Sequence, residues 1–241
     1  MKKLILPEGK KKVLTFSYDD EVTQDRRFVE ILNKYGLKCT FNLNSGTFGI
    51  KEKVVHYKNG VEVDHIKISR EEAMTLYKGH EIAAHTVHHL DLAKISDDEV
   101  RSEVKDDVKS LSEIAGYTVK GMAYPYGTFN GHIDELLKEC GILYSRTVED
   151  TNDFTIPENF LQWHPTINFG EKKFDELVEK FLDNSDYDSE NPKLFYIWGH
   201  SYEFDAYNSW DRLEEFCKRI SGKDDVLYAT NIEVFNMCKE I

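Results

Sequence analysis

Cysteine is scarce and scattered: Cys39, Cys140, Cys217 and Cys238 are the only four in 241 residues, and no two form a Cys-x-x-Cys pair. That spacing excludes a zinc knuckle and gives no disulfide framework, so all four read as buried thiols. Long apolar runs are missing too. No stretch approaches the roughly 20 residues that span a bilayer, and the run Leu4-Ile5-Leu6 is cut short by Pro7, Glu8 and Lys10. Neither a membrane span nor a secretory leader is expected, and a cytoplasmic location follows. Positive charge is in deficit: 31 Lys and Arg against 44 Asp and Glu leave a net charge of -13. Such a chain repels nucleic acid and anionic membranes at long range and suits a neutral or cationic partner. With five prolines and no linker-like, low-complexity or repeated stretch, residues 1–241 read as one domain. The Gly-x-Ser-x-Gly elbow and the phosphate-binding glycine loop are both absent, which argues against serine hydrolases and phosphoryl transfer.

Histidine, by contrast, is concentrated. Four of the nine histidines, His80, His85, His88 and His89, fall within ten residues, three of them just after the apolar run Ile82-Ala83-Ala84. One helical turn or a tight helical loop would put His85 and His89 on the same side, as two imidazole ligands of a divalent metal require; the three-residue spacing of His85 and His88 is also open. An acid must complete such a site.

Elsewhere strands and helices alternate. Lys11 to Tyr18 reads as a strand ending at the acids Asp19-Asp20-Glu21, Asp25 to Tyr35 as a helix stopped by Gly36, and Leu37 to Leu43 as a second strand. Alternation on both sides of Asn59-Gly60 predicts a small inserted β-hairpin. Ser69, Ser96 and Thr230, each followed three residues later by Glu, predict helix starts. Further strands are expected at Thr118 to Ala123, Ile142 to Ser145, Leu194 to Trp198 and Val226 to Tyr228. This order is that of a parallel sheet with crossover helices.

Position gives the metal reading its weight. Asp19-Asp20, His85 to His89, Tyr124 to Gly127, Arg146 and His200 each follow a predicted strand, and in a parallel barrel those loops share one face. Asp20, His85 and His89 make a two-His, one-carboxylate set with room for water, as in catalytic rather than structural zinc sites. His56, His65, His80 and His132 read as ordinary polar positions.

Thr15-Phe16-Ser17-Tyr18-Asp19-Asp20, His85-Thr86-Val87-His88-His89, Tyr124-Pro125-Tyr126-Gly127 and Trp198-Gly199-His200 resemble, in order, the motifs of the polysaccharide deacetylase family, also called the NodB-homology or carbohydrate esterase 4 family. The resemblance implies an α/β fold, a distorted (β/α) barrel of about seven parallel strands, and metal-dependent removal of N-acetyl groups from a carbohydrate. It implies Asp19 as general base and Asp20, His85 and His89 as ligands, favouring His89 over His88. It also implies Tyr126 as a backbone donor to the oxyanion and His200 as general acid. Zinc is the expected ion, with cobalt, nickel or iron accepted by the same donors. Pro125, Tyr126, Trp163 and Trp198 are the expected substrate contacts.

The sequence departs from the family pattern at three places. Glu21 stands where a Gly is usual. Ala123 stands where the Arg that orients the base is usual, which makes Arg146, at the end of the next strand, the expected substitute. The later acid that tunes the catalytic His has no clear counterpart, leaving Asp150, Asp153 or the Trp163-His164 region. The alternatives are a silent carbohydrate-binding protein and a hydrolase of another small C–N substrate such as a cyclic ureide.

Overall fold

Every residue from Lys12 to Asp19 is buried, because this strand is covered on one face by helices and on the other by the interior of a barrel. The computed structural model describes residues 2–51, 54–57, 60–188 and 191–240. Its strands are β1 (Lys2–Leu4), β2 (Lys12–Asp19), β3 (Thr40–Leu43), β4 (Val54–His56), β5 (Glu62–Asp64), β6 (Glu81–Ala84), β7 (Gly121–Ala123), β8 (Tyr144–Arg146), β9 (Ile167–Asn168), β10 (Lys193–His200), β11 (Val226–Tyr228) and β12 (Cys238–Glu240). The helices are α1 (Asp25–Lys34), α2 (Arg70–Leu76), α3 (Asp97–Ala115), α4 (Gly131–Glu139), α5 (Phe174–Leu182), α6 (Glu203–Ala206), α7 (Trp210–Ile220) and α8 (Asn231–Met237).

The main sheet runs in the order β8-β7-β6-β3-β2-β10-β9, with β11 also on β2, and its pairings are parallel. The segment leading into β9 draws the two ends together. Trp163 donates its N–H to Ser145 O at 2.9 Å and accepts from Thr147 N–H at 3.1 Å, while Thr166 N–H reaches Tyr196 O at 2.8 Å. The result is the expected distorted (β/α) barrel, its seven path strands closed at that seam. The expected hairpin is present as β4 paired antiparallel with β5; Asn59 lies outside the described residues. The pairing of β1 with β12 was not expected from sequence. No helix among the described residues is long and apolar enough to cross a membrane.

Strand alternation sorts the side chains. On β2, Leu14, Phe16 and Tyr18 join the main apolar cluster under the helices with Phe28, Phe41 and Phe204. Between them Thr15, Ser17 and Asp19 are buried and polar. Thr15 donates to Asn231 Oδ1 at 2.8 Å and Ser17 Oγ accepts from Asn42 Nδ2 at 2.8 Å. The inward face of β2 thus carries a hydrogen-bonded column below the strand ends, beside a smaller apolar cluster of Val13, Tyr144, Trp163, Leu194 and Tyr196, while the main apolar cluster lies under the helices. Capping follows the sequence: Ser96 and Glu99 form a reciprocal box on α3, which ends at Gly116 in the left-handed region.

Interior volume is shared between neighbouring strands. A Cβ on Gly121 would sit 2.0 Å from the Tyr144 ring, whose hydroxyl donates to Glu81 Oε1 at 2.7 Å. Gly121→Ala is expected to destabilise the protein by about 1–3 kcal/mol through overpacking, read as a lower urea midpoint.

Candidate metal centre and its surroundings

The C-terminal ends of the parallel strands bring one acid and two imidazoles together. Asp20 follows β2, and His85 and His89 follow β6. Each offers a ligand atom, and the three atoms lie within 4.8 Å of one another. The sequence expectation of a helical turn between the histidines is corrected. The segment is a loop in which Thr86 and His89 take φ of 68° and 56°, which turns the second ring back to a centroid distance of 4.7 Å from the first. His88 points elsewhere, its Nδ1 2.6 Å from Glu103 Oε1.

The donors suit a cation. His85 Nδ1 lies 2.8 Å from the carbonyl oxygen of Ala123, which only accepts, so Nδ1 carries the proton and Nε2 keeps its lone pair on the side of Asp19. The backbone N–H of His85 is held by Asp107 Oδ2 at 3.0 Å. Burial lowers the pKa of His85; burial and then the His85 neighbour bring His89 down to about 4. Both rings are thus neutral at pH 7, as ligation requires. Burial pushes Asp20 upward, but the His65 hydrogen bond and the Lys67 charge outweigh it and hold the carboxyl well below the usual range.

Beside this triad stands Asp19. Its Oδ1 accepts from Asn42 Nδ2 at 2.7 Å and its Oδ2 accepts from Arg146 Nη2. Arg146 is 0% exposed, also donating from Nε to Ser17 Oγ at 3.1 Å and from Nη1 to Thr147 O at 3.0 Å. Its guanidinium carbon is 4.8 Å from the centre of the Trp198 ring. The register explains the swap of positions: Ala123 is the direct partner of Arg146 across β7 and β8, so the small residue leaves the interior volume that the large one fills. Burial raises the Asp19 pKa, yet Arg146, His85 and His200 together bring it below its ordinary value.

His200, at the end of β10, places Nε2 3.8 Å from Asp19 Oδ2. Glu203, one turn further on, lies 3.4 Å from His200 Nδ1 and accepts the His200 backbone N–H at 3.2 Å. Burial opposes the charged ring, but Glu203 and then Asp20 and Asp19 raise His200 to about 9. Glu203 is thus the acid beside His200. Asp150 instead accepts Trp198 Nε1–H at 2.7 Å.

The expected substrate contacts divide. Tyr126 is 66% exposed with φ of 59°, its ring 4.7 Å from that of His89, while Pro125 is buried beneath it. Trp198 is half-buried beside Arg146 and His200. Trp163 is a correction. It is 1% exposed and enclosed by Tyr144, Phe160 and Tyr196, because it forms the barrel seam, and it has no face to offer a ligand.

Several residues at the site were missed in the sequence. Glu103 and Asp107 interrupt the apolar stripe of α3 at the positions facing the sheet, a pattern that could have marked them. His65 and Lys67, from the segment after the hairpin, both reach Asp20; no local pattern signals them.

The model of the polysaccharide deacetylase family matches residues 7–145, and the chain belongs to that family. It is 30% identical over 114 residues to a peptidoglycan-N-acetylglucosamine deacetylase of Bacillus cereus, an alignment covering 47% of this chain and 35% of the relative. The chain thus spans about a third of that relative's length. A solved structure from Mycobacterium smegmatis assigned to the polysaccharide deacetylases superimposes with a TM-score of 0.69 at 18% identity, over 97% of this chain and 92% of that one. The Xyl-CE4 domain of a multidomain xylanase from the hindgut metagenome of Trinervitermes trinervoides gives 0.59 at 17% identity, over 94% and 91%. At such identities the likeness is one of fold.

Because the His200 value is raised on folding, the stability it contributes is complete below about pH 6.5 and is lost as pH rises through about 9. Glu203→Gln is expected to lower the His200 pKa of the metal-free protein, followed by NMR of the imidazole C–H signals; an unmoved titration would remove Glu203 from this role.

Proposed function

We propose that the protein is a metal-dependent hydrolase that removes N-acetyl groups from a carbohydrate. The observation that carries this reading is the assembly of a buried carboxylate whose pKa its neighbours lower and an imidazole whose pKa they raise, Asp19 and His200, 3.8 Å apart beside the Asp20, His85 and His89 donors. Family membership supports the same chemistry.

A divalent ion held by Asp20, His85 and His89, zinc foremost, would supply Lewis acidity toward an amide carbonyl. Asp19 takes a proton from the water that attacks the carbonyl carbon. Arg146 and Asn42 fix the carboxylate and keep it ionised between turnovers. The Tyr126 backbone N–H donates to the oxygen that becomes negative in the tetrahedral state. His200 gives its proton to the amine nitrogen as the C–N bond breaks, leaving acetate and a free amine. Glu203 steadies the charged form of His200 until that transfer. Tyr126 and Trp198 offer aromatic surface to a sugar ring, with Pro125 setting the turn.

The test is acetate release from small N-acetylated sugars by the metal-loaded protein. Asp19→Asn is expected to lower kcat by about 10²–10⁴-fold with metal retained, and Arg146→Ala to lower turnover without releasing metal. Asp20→Ala and His85→Ala are each expected to lose bound metal by elemental analysis while keeping the fold. Sugar binding without acetate release by the wild type would favour the silent binder, and stoichiometric metal in both ligand variants would overturn the assigned triad.

A further inference from the structure

The segment after the inserted hairpin does more than return the chain to the barrel. Residues 65–68 run alongside the turn that carries Asp20: Thr23 N–H bonds Ile66 O at 2.8 Å, Ile68 N–H bonds Glu21 O at 2.9 Å, and Val22 bridges Lys67. Two side chains from this segment reach the turn. Lys67 Nζ donates to the Asp20 carbonyl oxygen at 2.5 Å and lies 3.2 Å from Glu21 Oε1. Glu21 is 0% exposed, accepts Asn44 N–H at 2.7 Å and bonds the Thr47 hydroxyl. The acid that stands in place of the usual Gly is therefore buried inward and paired.

His65 takes the other side. It is 3% exposed, with Nε2 3.3 Å from Asp20 Oδ2 and its ring 4.7 Å from that of Tyr202, edge to face. The second Asp20 oxygen, Oδ1, is the one 3.8 Å from His89 Nε2. One carboxylate oxygen is thus engaged by His65, and the other faces the histidine ligand with Lys67 Nζ 3.7 Å away.

We propose that His65 is a positioning residue for the metal ligand Asp20: its Nε2–H fixes the carboxylate rotamer so that Oδ1 is presented to the cation. This rests on the Asp20, His85 and His89 site proposed above. A hydrogen bond to a ligating carboxylate restricts its rotation before the ion arrives, and losing such a partner costs about 10–100-fold in metal affinity.

The experiment measures zinc affinity by competition with a chromophoric chelator, and the visible spectrum of the cobalt-loaded protein, for wild type, His65→Leu and His65→Gln. Leu keeps most of the volume and removes the donor; Gln keeps a donor. The expected result is about 10–100-fold weaker zinc binding in His65→Leu, a changed cobalt spectrum, and recovery of most of the affinity in His65→Gln. Should the Leu variant fail to fold, the Gln variant decides, since affinity near that of the wild type supports donation and affinity lowered by about tenfold or more overturns it. Equal affinity in the wild type and His65→Leu overturns the role of His65 alone. A wild type that takes up no metal overturns the site and the role of His65 with it.

Discussion

A guanidinium enclosed in the barrel and the carboxylate it neutralises, Arg146 and Asp19, set the terms for everything above them. Two charges removed from water are costly unless geometry and hydrogen bonds compensate. Here each oxygen of Asp19 has a donor, and Arg146 is met by Ser17, Thr147 and the face of Trp198. Arg146 needs acceptors, which explains why the inward residues of β2 nearest it are Ser17 and Asp19 rather than aliphatic, while Thr15 serves Asn231. Most of the apolar packing lies on the outer face of the sheet, under the helices, with a smaller cluster around Tyr144, Trp163 and Tyr196.

Strain gathers at the same end of the barrel. Seven non-glycine residues among those described have positive φ; five of them are Asp20, Glu21, Thr86, His89 and Tyr126, and the other two are asparagines. Left-handed backbone at such residues costs of order 1–3 kcal/mol each, and surrounding contacts must hold it in place. Those contacts can be named: Lys67 on the Asp20 carbonyl, Asn44 and Thr47 on the Glu21 carboxylate, and Asp107 on the His85 N–H. The inserted segment and the buried acids of α3 are thus parts of the site, although they stand outside its motifs.

Much of this was legible in the sequence. Strand and helix order followed from periodicity and capping residues, since local pattern reports local structure. The triad and Asp19 were legible because each sits directly after a strand. Arg146 was reachable by the same logic, being the next strand end after Ala123. Glu203 and His65 were not, since each acts through a contact that depends on how separate elements pack, whereas the acids Glu103 and Asp107 in the apolar stripe of α3 left a readable mark. Trp163 misled because an aromatic beside a His looks the same in sequence whether it faces a cleft or seals a seam. The histidine loop misled in detail, since spacing of four fits a helix as readily as a left-handed turn.

The pairing of Ala123 with Arg146 across β7 and β8 ties the side chain allowed at one position to that at the other. An arginine at 123 and one at 146 would compete for a single interior volume and a single anion. The two positions are therefore coupled: a change of size or charge at one alters what the other can accept.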